Sequence, residues 1–379
     1  MKFLIVMDAF KGCLSSLEAG EAVAAGIFRK WHDCEVDVCP IGDGGEGTVD
    51  ALIAACDGKR VVCSVEGPYG ELVTAQYGIL SDGTAVMEMA QAAGWHLSER
   101  RALEFASTFG VGMMIRDAVL RGCRRFVMGI GGSATNDGGV GMLQALGIRF
   151  CDSVGRAVRR GAIGLKDMVS IDTSSMLAEL GECHFDILCD VDAPLLGSKG
   201  CSLVFGPQKG ATPQLAQKMD QWMGHYADCV RCVYPDAVPE AHGAGAAGGL
   251  GFALQVFCKA ALVPGLPTVA QMIGLEEKIR CAECIITGEG KFDVQSMMGK
   301  TPVGIANIAK KYHKPVIALV GAIEEGGFNR DDVGIDAIFS IQQSPCTFDE
   351  AMKPQTARDH LSVTAEQIAH LLHLARGLA

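Results

Sequence analysis

Apolar positions along the chain fall into two kinds of run. Short continuous runs, at 3–7 and 315–320, have the pattern of strands buried on both faces. Longer stretches with apolar residues every three or four positions, at 17–30 and 365–376, have the pattern of amphipathic helices. The N-terminal strand runs into a turn of small residues, and the helix after it can be capped by Ser15 or Ser16, with Glu18 in its first turn. A second strand, 35–41, leads through a glycine-rich loop into a helix that begins near Thr48 and turns Val49, Leu52 and Ile53 inward. Strand–loop–helix twice over predicts a parallel α/β sheet.

The pattern changes near residue 60. Stretches 60–65, 73–80 and 85–89 are rich in β-formers, with Gly67-Pro68-Tyr69-Gly70 and Ser81-Asp82-Gly83 between them, so antiparallel hairpins are expected. A helix over 107–121, a strand over 125–130 and a strand over 184–188 follow. The chain then predicts a helix over 214–234 and a second, opened by the Gly/Ala-rich segment 242–251, that runs to about 261. Near 285 the strand–loop–helix pattern returns: strand 284–287, loop 288–293, helix 301–312 with Pro302 in its first turn, strands 315–320 and 337–341, and a closing helix. The fold class expected is α/β in two domains. A Rossmann-like parallel-sheet domain, 1–60 with 285–379, is interrupted by an inserted mixed α/β domain, 61–284, and the active site is expected in the cleft between them. No fixed-period repeat is present.

Composition narrows the functions this layout can serve. The 379 residues are 49% hydrophobic, enough for large cores, and 48 are glycines that cluster in a few loops. A net charge of −11 argues against a nucleic-acid partner, although it does not prevent local anion binding by backbone N–H groups. No apolar stretch reaches membrane-spanning length, so no membrane partner is expected. No secretory signal is seen, so the 16 cysteines are read as reduced thiols in the cytoplasm. Cys229/Cys232 and Cys281/Cys284 are CxxC pairs, but 48 residues separate them, far from zinc-ribbon spacing, and they read as small buried hydrophobes.

Five segments at predicted strand ends combine small residues with acids: 8–11, 42–48, 131–139, 190–192 and 288–293. In open parallel sheets, ligands bind outside the carboxyl ends of the strands. Glycine lets backbone approach phosphate, and N–H groups at helix starts favour anions. Carboxylates in the same loops would repel phosphate unless magnesium lay between them, or unless they served as proton acceptors. Lys11 and Lys291 are placed to offset charge. Gly299-Lys300-Thr301 resembles the tail of a P-loop, but Val294 stands where the leading glycine belongs. Gly42, Gly44 and Gly47 spell the dinucleotide fingerprint, with Glu66 at ribose-binding distance. However, Asp43 and Glu46 put carboxylates where a pyrophosphate would sit, and the strand before Glu66 reads as part of a hairpin. Asp137 and Asp43 could each simply cap a following helix.

At these loops the chain closely resembles the type 1 glycerate kinase family. The resemblance rests on Asp8-Ala9-Phe10-Lys11-Gly12-Cys13-Leu14, Gly42-Asp43-Gly44-Gly45-Glu46-Gly47-Thr48 and Gly132-Ser133-Ala134-Thr135-Asn136-Asp137-Gly138-Gly139. It continues through Phe205-Gly206-Pro207-Gln208-Lys209-Gly210-Ala211-Thr212, Gly243-Ala244-Gly245-Ala246-Ala247-Gly248-Gly249 and Thr287-Gly288-Glu289-Gly290 with Asp293, Gln295, Gly299, Lys300 and Pro302. It implies ATP-dependent phosphorylation of glycerate, giving 2-phosphoglycerate. Ala9 and Cys13 each replace a usual serine, Gly42 a usual alanine and Ala193 a usual asparagine, and Lys291-Phe292 replaces an Arg-Ile-like pair. These departures bear on how substrate hydroxyls are held.

On this reading Asp190, Asp192 and Lys11 are the expected catalytic residues, with one of the two aspartates as base and Asp43, Asp190 and Asp192 as magnesium ligands. Asp8, Asp43, Glu46, Thr48, Ser133, Thr135, Asn136, Asp137, Glu289, Asp293 and Gln295 are expected to contact substrate. Gly44, Gly45, Gly131, Gly132, Gly288, Gly290 and Lys300 are expected to hold ATP. A homodimer is compatible with the sequence. Three alternatives remain open: a kinase for another small hydroxy acid such as tartronate, a nucleotide-dependent oxidoreductase, and a non-catalytic binding protein.

Overall fold

The computed structural model describes residues 1–297, 300–324 and 333–378. The chain divides into two compact units, Met1–Asp57 with Leu266–Ala379, and Gly58–Gly265. Each is an α/β layer structure with its own core.

The first unit is built on a parallel five-stranded sheet. Its strands are β1 (Lys2–Met7) and β2 (Glu35–Val38), joined after the second unit by β11 (Cys284–Phe292), β12 (Val316–Ile323) and β13 (Ala337–Ser340). The order is β13-β12-β11-β1-β2. Read in the order in which the unit's strands occur, this is 2-1-3-4-5, the flavodoxin-like doubly wound arrangement, whose switch point lies between β1 and β11. Ser15 caps the helix Ser16–Lys30 through a full capping box with Glu18. That helix buries Ala19, Val23 and Ile27, and it packs on the closing helix Pro354–Leu378. A Cβ at Gly26 would lie 2.0 Å from Ser362 O, so glycine is what lets the two helices approach.

Three expectations for this unit need correction. The unit resumes at Leu266 and not at 285, because the helix Leu275–Cys281 buries Leu275 and Ile279 and packs on β1 and the helix Thr301–Lys310. The segment 288–293 is mostly strand: β11 continues to Phe292 because β12 offers a paired edge as far as Ile323. A Cβ at Gly288 would stand 1.9 Å from Leu319 O, so this stretch needs glycine for packing. The closing helix starts at Pro354, with Ala357, Leu361 and Ala365 all buried. Gly299 of the P-loop-like triplet lies outside the described residues.

The second unit carries a six-stranded mixed sheet, ordered β10-β9-β6-β5-β4-β3. The strands are β3 (Lys59–Glu66), β4 (Leu72–Ile79), β5 (Ala85–Glu88), β6 (Arg125–Gly129), β9 (His184–Leu188) and β10 (Ala261–Val263). A small ribbon of β7 (Arg149–Cys151) and β8 (Ser170–Asp172) accompanies it. β3, β4 and β5 form the expected antiparallel meander, whereas β5, β6, β9 and β10 run parallel. The helix opened by the Gly/Ala-rich segment ends at Cys258, where Lys259 turns left-handed and frees Ala261–Val263 to pair with β9. Among the described residues no cysteine forms a disulfide. Among the described residues no helix is long and apolar enough to cross a membrane.

Candidate active site

The first unit has a cavity of about 380 Å³ at its switch point. Met7 pairs level with Gly288, so Asp8 and Glu289 lie side by side where β1 ends. Asp8, Lys11, Asp43, Glu289, Asp293 and Lys300 all contribute to the walls. Asp8 is buried; its Oδ1 accepts the Ala9 N–H at 2.7 Å and its Oδ2 accepts the Thr301 hydroxyl at 2.8 Å. Burial, with the neighbouring Asp43 charge, raises the Asp8 carboxyl to about 6, and the two hydrogen bonds and Lys11 pull in the opposite direction. Burial raises Glu289 to about 7, with Asp8 and Asp293 adding repulsion and Ser296 and Lys300 opposing it. Glu289 Oε1 is buried without a hydrogen-bond partner among the described residues. This is a crowd of carboxyls with lysines at its edge, the setting in which proton transfer and cation binding near neutral pH become feasible.

The loop that follows β2 supplies Asp43. Its Oδ1 accepts the Gly45 N–H at 2.9 Å, and the Gly44 N–H donates to Thr48 Oγ1 at 3.0 Å. Gly47 caps the helix Thr48–Ala55 at φ 91°, a left-handed position that favours glycine. Gly45 and Lys11 are near neighbours, since a Cβ at Gly45 would lie 3.8 Å from Lys11 Nζ. A Cβ at Gly42 would come within 2.5 Å of Thr48 Oγ1, so this chain closes its loop more tightly than an alanine there would allow. The dinucleotide reading fails on topology. The fingerprint follows the edge strand β2, and Glu66 belongs to the antiparallel strand β3 of the other unit.

The second unit has a cavity of about 520 Å³ at the carboxyl ends of β5, β6 and β9. Gly131, Gly132 and Ser133 line it, and none of their N–H groups donates a hydrogen bond among the described residues. Gly132 has φ +70°, the left-handed turn from which successive N–H groups can form an anion-binding concavity. Beneath this loop Thr135, Asn136 and Asp137 are fully buried. Asp137 accepts the Thr108 N–H at 2.8 Å, the Gly139 N–H at 3.1 Å, the Gly141 N–H at 3.2 Å and the Thr108 hydroxyl. Burial pushes its carboxyl upward against those donors. Asn136 Nδ2 donates to Ser202 Oγ at 2.8 Å.

The first unit therefore brings together Asp8, Lys11, Asp43, Glu289, Gly290, Asp293 and Lys300, with Gly44 and Gly45 in the adjoining loop. Glu46 is exposed, Thr48 braces its own loop and Gly288 packs inside β11. Gln295 sits in the helix Val294–Met297, and its side chain lies outside what is described. In the second unit Gly131, Gly132 and Ser133 face a cavity, whereas Thr135, Asn136 and Asp137 hold that loop from inside. Asp190 and Asp192 are exposed after β9; Asp190 Oδ1 accepts the Gly265 N–H at 3.0 Å, and Asp192 stands 3.7 Å from His242. Among the described residues, no three metal-ligating side chains are assembled as a group.

Lys209 escaped the residue-by-residue reading. It is buried at 6% exposure, and its Nζ donates to Ser133 Oγ at 2.7 Å and to Thr135 O at 2.8 Å. The available signal was a lysine inside Pro207-Gln208-Lys209-Gly210, a tight glycine-ended turn between apolar segments.

The model of the glycerate kinase family matches residues 3–373. The chain is 42% identical over 375 residues to the glycerate 2-kinase of Escherichia coli K12, covering 98% of each. It is 41% identical over 379 residues to the glycerate kinase of Bacillus subtilis 168, covering 99% of each. A crystal structure from Salmonella typhimurium LT2, described as a candidate glycerate kinase 2, superposes with a TM-score of 0.90 at 40% identity, covering 100% of this chain and 99% of that one. With a family model matching residues 3–373 and near-full-length relatives at about 40% identity, the chain belongs to the glycerate kinase family.

Proposed function

We propose that the chain transfers the γ-phosphoryl group of ATP to the 2-hydroxyl of D-glycerate, giving 2-phosphoglycerate and ADP, with magnesium as the companion ion. Family membership supports a glycerate kinase that uses ATP; the hydroxyl, the ion and the residue roles are our reading. The observation that carries those roles is the pair of raised carboxyls, Asp8 and Glu289, side by side at the switch point.

Glu289 is the proton acceptor we favour. Its Oε1 has no donor among the described residues, it lines the cavity, and a carboxyl near 7 is poised to take a proton at working pH. As the hydroxyl oxygen bonds to phosphorus and the bond to ADP breaks, the hydroxyl proton passes to Glu289 Oε1. Lys11 and Lys300 offset charge on the transferring group, and the free N–H groups of Gly131, Gly132 and Ser133 suit an anion. The acidic cavity also fits a divalent cation, because a cation relieves the repulsion that lifts Asp8 and Glu289. Asp43 is the ligand we assign in the first unit; Asp190 and Asp192, both exposed, are the candidates in the second. Magnesium held by these carboxylates would offset the charge of the phosphates. A cytoplasmic setting, where thiols stay reduced, goes with this reading.

The test is an ADP-release assay with D-glycerate, L-glycerate and tartronate, each with and without magnesium. Turnover is expected with D-glycerate and magnesium. A clear preference for tartronate, or full activity in excess chelator, contradicts the proposal.

A further inference from the structure

The second unit's cavity contains one charged side chain, and that charge is incompletely partnered. Trp95, Gly131, Gly132, Ser133, Phe205 and Lys209 form much of its wall, and no carboxylate lines it among the described residues. An ammonium group has three donors. Lys209 uses two of them, on Ser133 Oγ and Thr135 O, both neutral acceptors. Among the described residues no carboxylate forms an ion pair with Nζ, and the buried Asp137 carboxyl acts on it only through space. A buried charge without a contacting counterion is costly, and a bound anion would relieve that cost. The same wall presents the three undonated N–H groups of Gly131, Gly132 and Ser133.

The geometry points to Lys209 as the anion-binding cation of this cavity: its third N–H and the Gly131–Ser133 amides together hold an oxyanion of the reactants. This deepens the proposed function and rests on it. The oxyanion is either a nucleotide phosphate or the glycerate carboxylate, since both offer negatively charged oxygens to N–H donors. Ser133 is a positioning residue here, because its hydroxyl fixes Nζ. The absence of carboxylates distinguishes this cavity from that of the first unit, which suits a cation as well.

The proposal predicts a pH dependence that a purely structural lysine would not give. Burial lowers Lys209 to about 8, and the titratable groups that face it are the Cys201 thiol and the buried Asp137 carboxyl. Anion affinity should therefore fall as pH rises through about 8 and the ammonium loses its proton.

The experiment measures binding of D-glycerate, ADP and inorganic pyrophosphate to the full chain by calorimetry, alongside steady-state KM and kcat. Lys209→Met should weaken one class roughly 10- to 100-fold, the range for losing one charge-assisted hydrogen bond. Weakened pyrophosphate and ADP with unchanged D-glycerate assigns phosphate; the reverse assigns carboxylate. Ser133→Ala should weaken the same class less. Unchanged affinities for all three probes in a folded Lys209→Met overturn the proposal. If that variant does not fold, the wild-type chain decides: affinities for D-glycerate and pyrophosphate that both stay flat from pH 7 to 9.5 overturn it equally. Wild-type turnover of ATP with D-glycerate is read in parallel, so failure of the kinase reading shows there and not in the lysine measurements.

Discussion

Replacing Asp8 by Asn should stabilise the protein while impairing it. The folded state holds this carboxyl at about 6 against an ordinary 3.8, chiefly through burial and then through repulsion from Asp43. A difference of about two pKa units corresponds to roughly 3 kcal/mol of destabilisation once the group is ionised. The sign follows from proton binding. The folded state keeps a proton that the unfolded state releases, so the stability is fully present below pH 3.8 and is lost as pH rises through about 6. Asparagine has no charge to desolvate, and its oxygen can still accept the Ala9 N–H. Its amide must face the Thr301 hydroxyl, which has to turn from donor to acceptor, at a cost of about 1 kcal/mol. The net expectation at pH 7.5 is a gain of about 2 kcal/mol, shrinking by about 1.5 kcal/mol at pH 5. Urea unfolding followed by tryptophan fluorescence reads this, since Trp31 lies in the core of the same unit. A variant no more stable than wild type at pH 7.5, or an advantage that does not change with pH, refutes the reasoning. Loss of turnover in the stabilised variant would mark Asp8 as a site where stability is given up for function.

Three further outcomes are expected. Glu289→Gln should lower kcat at least about 100-fold, and the wild-type kcat should decline on the acid side near pH 7, where Glu289 takes up its proton; an unchanged acid limb removes its role as base. Asp137→Ala should cost about 3–5 kcal/mol in stability, because buried N–H groups of Thr108, Gly139 and Gly141 lose their acceptor; a well-folded variant with only a raised KM would make Asp137 a ligand contact. Asp190→Asn and Asp192→Asn should each raise the magnesium concentration needed for half-maximal rate if these exposed carboxylates meet the ion, and unchanged titrations with both remove that assignment.

Sequence periodicity is informative where one force dominates. The continuous apolar runs of β1 and β12 and the capped helix Ser16–Lys30 follow from local pattern alone. Local pattern fails where a neighbour decides. Gly288 and Gly290 look like loop residues, yet they extend β11 because β12 lies alongside; Ala261–Val263 forms a strand because β9 offers an edge. The site divides in the same way. Asp8, Asp43 and Glu289 were legible as acids among glycines at strand ends. That Asp137 clamps a loop from inside, and that Lys209 reaches Ser133 across 76 positions of sequence, depends on long-range packing. Burial, which separates a ligand contact from a structural brace, is not written in any one loop.

The measurement closest to the central claim is the phosphorus NMR spectrum of the product formed from ATP and D-glycerate with magnesium. Phosphate on the 2-hydroxyl sits beside a carbon bearing one hydrogen, so a proton-coupled doublet for 2-phosphoglycerate is expected. A triplet, from phosphate beside the two hydrogens of the 3-carbon, or no phosphorylated glycerate at all, contradicts the account.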